Sequence, residues 1–236
     1  MCSVSCLFIM CLILCVLSLL SPYAMAVLLT QQQCSQNGAI FDVGVQPQVV
    51  QNTLNDNKVY TGNRLIAATP LKTSLYIDHA EYRLLSGDNN NFSPMQTLIN
   101  NAGSNAGQCI VFFSTYSPCL EKCNNPKGRY NILQFMNVFQ VFDNNRKAFV
   151  FSSVWDRSRN HPGVTNPDRE WVVASFQRIE SFLPLYRCDR FKENNKWVNR
   201  CYNCVTNPDD LYTVCMDTNS VHCLNVYFLS FPPSIP

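Results

Sequence analysis

The chain has no lysine or arginine before Lys58, and only three histidines in 236 residues. It has no internal repeat and no low-complexity tract, which excludes solenoids, propellers and collagen-like arrays. Charged residues make up 14% and the net charge is +2, so the strongly basic composition of a dedicated nucleic-acid-binding domain is missing. Any basic surface must be local. What is present is apolar: hydrophobic residues reach 47%, enough to exclude intrinsic disorder and to fill the core of one generous domain.

The scarcity of positive charge matters most at the N-terminus. Val4 to Leu20 is an apolar run, and Ala24-Met25-Ala26 offers small residues where a signal peptidase reads them. The positive n-region of such leaders is absent. An uncleaved anchor is the competing reading, although the run is at the short end for a spanning helix. Residues 1–26 are read as a signal peptide, with no membrane association after its removal. Of 13 cysteines, Cys2, Cys6, Cys11 and Cys15 leave with that leader and nine remain. Cys188, Cys201, Cys204, Cys215 and Cys223 crowd towards the C-terminus, a density that suits an oxidising, extracellular compartment and a disulfide-stapled tail. Cys109, inside an apolar run, is expected to be a free buried thiol. Asn91-Phe92-Ser93 is a glycosylation sequon weakened by Pro94.

Residues 27–62 are rich in Gln and Asn and read as a lead-in. Arg64 to Thr69 and Ser74 to Asp78 fit two strands of a hairpin, and a helix follows from His79 to Ser86. Gln108 to Thr115 is a continuous apolar run typical of a strand covered on both faces. Pro118 ends it and is welcome in the first turn of a helix starting there. Tyr130 to Phe142 has helical spacing, Lys147 to Trp155 reads as a second buried strand, and Trp171 to Leu183 as an amphipathic helix. This order predicts an α/β domain of three layers, a central mixed sheet flanked by helices, over residues 63–187. A cysteine-rich C-terminal extension follows over 188–236.

The scarce histidine is the informative one. His79-Ala80-Glu81 precedes Pro118-Cys119 and Cys123. A catalytic zinc commonly has three protein ligands and one open position. His79, Cys119 and Cys123 supply an imidazole and two thiolates. On a helix, positions four apart differ by about 40°, so both sulfurs would share a face. A helix N-terminus also favours thiolates. Glu81 then serves as a carboxylate that moves protons between activated water and a substrate nitrogen. The competing reading of the cysteine pair is a disulfide, against which thiols one helical turn apart point side by side.

These residues resemble the H-x-E and P-C-x-x-C signature of the zinc-dependent cytidine deaminases. Here the cysteine spacer is three residues rather than two. Thr115-Tyr116-Ser117-Pro118-Cys119 is similar to the T-W-S-P-C run of the AID/APOBEC branch. With a secretion signal, the chain is closest to the secreted novel AID/APOBEC-like deaminases. The resemblance spans roughly Asn63 to Leu183. It implies a cytidine-deaminase-like fold, zinc as cofactor and deamination of cytosine to uracil in single-stranded DNA or RNA, in defence. It implies Glu81 as the proton shuttle and His79, Cys119 and Cys123 as metal ligands. The backbone of Ala80 and Ser117 would meet the pyrimidine edge, Tyr116 and Trp155 would border the pocket, and Asn63 would approach the sugar. A free-nucleoside deaminase and an inactive secreted binding protein on the same scaffold are the alternatives. His161 and His222 are expected to be surface or structural residues. Arg146, Lys147, Arg157, Arg159 and Arg169 form either a solvated face or a track for a phosphate backbone.

Overall fold

The computed structural model describes residues 22–35, 44–87, 92–101, 103, 108–155, 169–193, 196–207, 210–211 and 213–216. The strands are β1 (Ala24–Leu29), β2 (Tyr60–Thr61), β3 (Leu65–Ala68), β4 (Leu71–Lys72), β5 (Ile77–Asp78), β6 (Cys109–Tyr116), β7 (Lys147–Ser153), β8 (Leu185–Glu193), β9 (Lys196–Asn203), β10 (Val205–Asn207) and β11 (Asp210–Leu211). The α-helices are α1 (Gln31–Ser35), α2 (Pro47–Asn55), α3 (Ala80–Leu85), α4 (Pro94–Asn101) and α5 (Arg169–Glu180). A 3-10 helix spans Leu133–Val141.

Seven strands form one sheet in the order β2-β3-β1-β6-β7-β8-β9. The β6–β7 and β7–β8 pairs are parallel, and the other pairs in this sheet are antiparallel. The sheet is mixed, as expected. Side chains alternate across it. Ala24, Ala26, Leu28, Ile110, Phe112, Phe149 and Phe151 pack with α3, α4, α5 and the 3-10 helix. Met25, Val27, Leu29, Val111, Phe113, Ala148 and Val150 pack on the other face with Val50 and Leu54 of α2. With both faces covered, the inner strands carry continuous apolar runs, Cys109–Phe113 in β6 and Ala148–Phe151 in β7, which is why they stand out in the sequence.

Several expectations need correction. The leader boundary after Ala26 falls inside β1, the third of seven strands, whose six residues are at most 2% exposed. Ala-Met-Ala is ambiguous because small residues serve a peptidase and also let a helix approach a sheet closely. Ala24 and Ala26 share a core cluster with Ala80 and Leu84 of α3. Residues 27–62 are therefore not a separate lead-in: they carry half of β1, the α2 cover and β2. The boundary at 187 falls inside β8, and β8 and β9 complete the sheet. The segments Arg64–Thr69 and Ser74–Asp78 do not pair with each other. β3 lies between β1 and β2, while β5 pairs only with β4 in a small separate hairpin.

Cys109 is not a free thiol. It is bonded to Cys34, fastening the end of α1 to the start of β6. Cys188 and Cys201 bridge directly opposed residues of β8 and β9, and Cys204 is bonded to Cys215. Arg187, wholly buried, donates to Ser152 O at 3.0 Å and to Val214 O, so β8 holds both the end of β7 and the turn carrying Cys215. Cys223, His161, His222, Arg157, Arg159 and Asn91 of the sequon lie outside the described residues. Among the described residues no helix is long and apolar enough to cross a membrane.

Candidate active site

The site forms where β6 ends and α3 begins. His79 is the residue before α3, in extended conformation (φ −69°, ψ 149°), and its carbonyl accepts the Arg83 N–H at 3.1 Å. Its ring is therefore aimed by the strand-to-helix turn rather than by the helix. Glu81 follows in the first turn, where a carboxylate complements the helix dipole. On β6, Ile110 and Phe112 face α3 and α4, and the two-residue period puts Ser114 on that same face. Ser114 Oγ donates to Glu81 Oε1 at 2.6 Å in a buried setting.

Cys119 and Cys123 were expected on a helix. The segment from Leu120 to Asn124 is instead a series of turns, closed by the Asn124 N–H on Cys119 O at 2.9 Å. Pro118 on one side and Pro126 on the other leave too few residues to propagate a helix. The turn is held from α5: Asn124, fully buried, donates through Nδ2 to Ser175 O at 2.6 Å, and Arg178 donates to Asn124 O at 3.3 Å. The Ile132 N–H on Cys123 O at 2.8 Å fixes the other side.

This brings Cys123 Sγ to 3.1 Å from His79 Nδ1. One donor atom each of His79, Glu81 and Cys123 lies within 4.8 Å of the others, and Cys119 stands outside that trio. Burial holds the His79 imidazolium below its usual range, against the opposing pull of Glu81, so the ring is favoured in its neutral, ligating form. Burial first, then the charges of Glu81 and Cys119, push the Cys123 thiol well above its ordinary value. A buried thiolate beside a carboxylate is unfavourable by itself, and a divalent cation reverses that sign. The donor set thus fits zinc, which takes nitrogen and sulfur ligands. Cys119 and Cys123 are also free thiols, whereas the other six described cysteines are paired.

A cavity of about 280 Å³ opens beside His79 and Glu81, which line it. Ala80, Tyr116, Ser117, Cys119 and Trp155 all line it. Tyr116 and Trp155 meet edge to face at 5.3 Å, forming an aromatic wall. Ser117 ties two loops together: its N–H donates to Ser153 O at 2.7 Å, and its Oγ accepts the Trp155 N–H at 3.0 Å. Asn63 is not brought to the site. It lines a different cavity with Leu29 and Gln108, at the far end of β1 and β6, five residues or roughly 17 Å of strand from Ser114. Of the basic cluster read as a solvated face or a track, only Lys147 among the described residues is withdrawn from the surface. Lys147 is buried at the start of β7, with Nζ 3.5 Å from Phe139 O, and Arg146 sits beside Asp143 at 4.0 Å.

Four contributors were missed in the sequence. Ser114 was hidden in an apolar run, although the strand period places it on the face of Ile110 and Phe112. Asn124 carries no motif. Pro22 and Tyr23 line the cavity; the Thr115 N–H donates to Tyr23 O at 3.0 Å, and the Tyr23 N–H donates to Thr115 Oγ1 at 3.1 Å. Both lie within the segment read as leader.

Comparison with known proteins gives one finding. A family model described as Secreted Novel AID/APOBEC-like Deaminase 1 matches residues 18–219. No curated protein and no solved structure matches the chain.

Proposed function

Because the chain belongs to the Secreted Novel AID/APOBEC-like Deaminase 1 family, we propose that it is a secreted, zinc-dependent hydrolase that converts cytosine to uracil in single-stranded nucleic acid, acting in defence. The observation that carries this reading is the trio of half-buried His79 with buried Glu81 and Cys123, the first two lining a cavity walled by Tyr116 and Trp155. His79, Cys119 and Cys123 would hold the zinc, which supplies Lewis-acid activation of water when bound.

The chain's own groups account for the rest. Glu81 accepts a proton from the attacking water and delivers protons to the substrate. Water adds to C4 of the ring, ammonia leaves with the exocyclic nitrogen, and uracil remains. Ser114 occupies Oε1 of Glu81 and leaves Oε2 for the proton. Ala80 is the first residue of α3, so no carbonyl of its own helix accepts its N–H, which would donate to the pyrimidine carbonyl. The Ser117 N–H is already engaged by Ser153, which leaves the Ser117 carbonyl as the acceptor for the substrate amine. Tyr116 and Trp155 offer aromatic surface to the base.

The position of Cys119 outside the trio favours a second reading, a secreted binding protein that no longer turns over. Glu81→Gln separates the two. In an enzyme this variant keeps zinc and loses at least about 10²-fold in uracil release from a cytosine-containing oligonucleotide. A zinc-loaded, folded wild type that releases no uracil from any strand, nucleotide or nucleoside overturns the enzyme reading.

A further inference from the structure

The β8–β9 hairpin outgrows the sheet in which it starts. β7 pairs with β8 at Leu185, Tyr186 and Arg187, whereas β8 pairs with β9 as far as Glu193 opposite Lys196. Beyond Arg187, among the described residues, the two strands have only each other as ladder partners. β6, β7 and β8 run parallel, so this ribbon leaves the sheet at the end where the cavity opens. A two-stranded ribbon is marginal in water by itself, and the Cys188–Cys201 bond across its base offsets that.

The ribbon's charge is uneven. From Arg190 to Glu193 and from Lys196 to Arg200 its strands hold four cations and one anion, an excess larger than the net +2 of the whole chain. The register sorts these charges onto two faces. Arg190 stands opposite Asn199 and Lys192 opposite Trp197, on one face that carries no acid. On the other, Asp189 opposes Arg200 and Glu193 opposes Lys196, so each cation has an anion across the ladder. The acid-free face continues that of Cys188 and Cys201, which pack with Val50 and Leu54 of α2. It therefore starts on the side of the sheet away from α3 and the candidate metal ligands.

Two strands about 4.8 Å apart make a ribbon that enters the major groove of B-form DNA, roughly 12 Å wide. The deep, narrow major groove of duplex RNA does not admit it. Arginine, lysine and asparagine are the residue types that meet phosphates and base edges in that groove. We propose that the ribbon face of Arg190, Lys192, Trp197 and Asn199 is a binding site for duplex DNA, separate from the cavity. A chain anchored in this way keeps its cavity within reach of bases that come unpaired at the end of that duplex or in an opened stretch of it.

The test measures, by fluorescence anisotropy, binding of the full chain with its disulfides intact to a short labelled duplex of adenine and thymine alone. That duplex holds no cytosine, so the result is independent of whether the cavity deaminates. The wild type binds it in preference to the RNA duplex of corresponding sequence. Arg190→Gln and Lys192→Gln each weaken binding roughly three- to tenfold and lower the slope of log affinity against log salt by about 0.9. Arg190→Lys and Lys192→Arg keep the charge and stay within about twofold of the wild type, which separates a lost contact from a damaged fold. Lys196→Gln, on the charge-paired face, leaves affinity and slope nearly unchanged. No binding to the DNA duplex overturns the proposal. So does equal affinity for duplex RNA, heparin or phosphatidylserine vesicles, or a loss in Lys196→Gln as large as in Lys192→Gln.

Discussion

Replacing Ser114 by alanine removes one hydroxyl and tests how Glu81 is held. The bond is 2.6 Å long, and its partners are 3% and 6% exposed. A hydrogen bond to a charged group contributes about 1.5–3 kcal/mol net, and more is at stake where water cannot replace the lost donor. If the bond orients the carboxylate for proton transfer, its loss appears in kcat. At about 1.4 kcal/mol per decade, kcat falls roughly 10- to 100-fold while KM changes little. Ser114→Thr keeps the hydroxyl on a strand that accepts β-branched residues, and recovers most of the activity. The assay is steady-state uracil release, with zinc content and thermal midpoint measured on the same preparations. Ser114→Ala at wild-type kcat refutes the reasoning. So does Ser114→Thr failing equally while zinc and stability are intact, because that would make the position a matter of packing.

The remaining predictions concern the chain's start and its pH response. If the full sequence is expressed in secreting cells and its N-terminal apolar run is removed, the protein recovered from the medium begins at or before Pro22, since β1 supplies ladder bonds to both β3 and β6. N-terminal sequencing checks this, and a mature chain starting at Val27 contradicts it. Glu180 accepts the Leu185 N–H at 2.6 Å, but burial outweighs that bond and raises its carboxyl from 4.5 to about 7. A carboxyl raised in the folded state favours folding fully below its unfolded value, and that contribution is lost as pH rises through the folded one. The thermal midpoint of the wild type should therefore fall between about pH 4.5 and 7 relative to Glu180→Gln, which keeps an acceptor for Leu185. Parallel melting curves across that range count against it.

The centre of the site was legible because its signal is local. His79 and Glu81 are two residues apart, and Pro118 with the two cysteines follows the most continuous apolar run in the chain. Strands buried on both faces leave no polar alternation to mistake, so β6 and β7 were readable. β1 is equally apolar, but it adjoins another apolar segment and contains Ala24 and Ala26, which satisfy a peptidase as well as a close helix. The Cys34–Cys109 bond joins positions 75 apart, and only the fold decides which cysteines meet. Asn63 was placed by resemblance alone, and the register of β1 against β6 put it at the wrong end of the sheet. The turn carrying Cys123 depends on Asn124 reaching α5, a contact between residues 51 apart that no local pattern announces.

The account stands on His79, Cys119 and Cys123 sharing a metal ion beside Glu81. The most direct measurement is elemental analysis with zinc-edge X-ray absorption on the full chain, purified without chelator. The prediction is one zinc per chain with one nitrogen and two sulfur neighbours from the protein. A folded chain that takes up no zinc, or a mass map with Cys119 and Cys123 joined to each other, contradicts it.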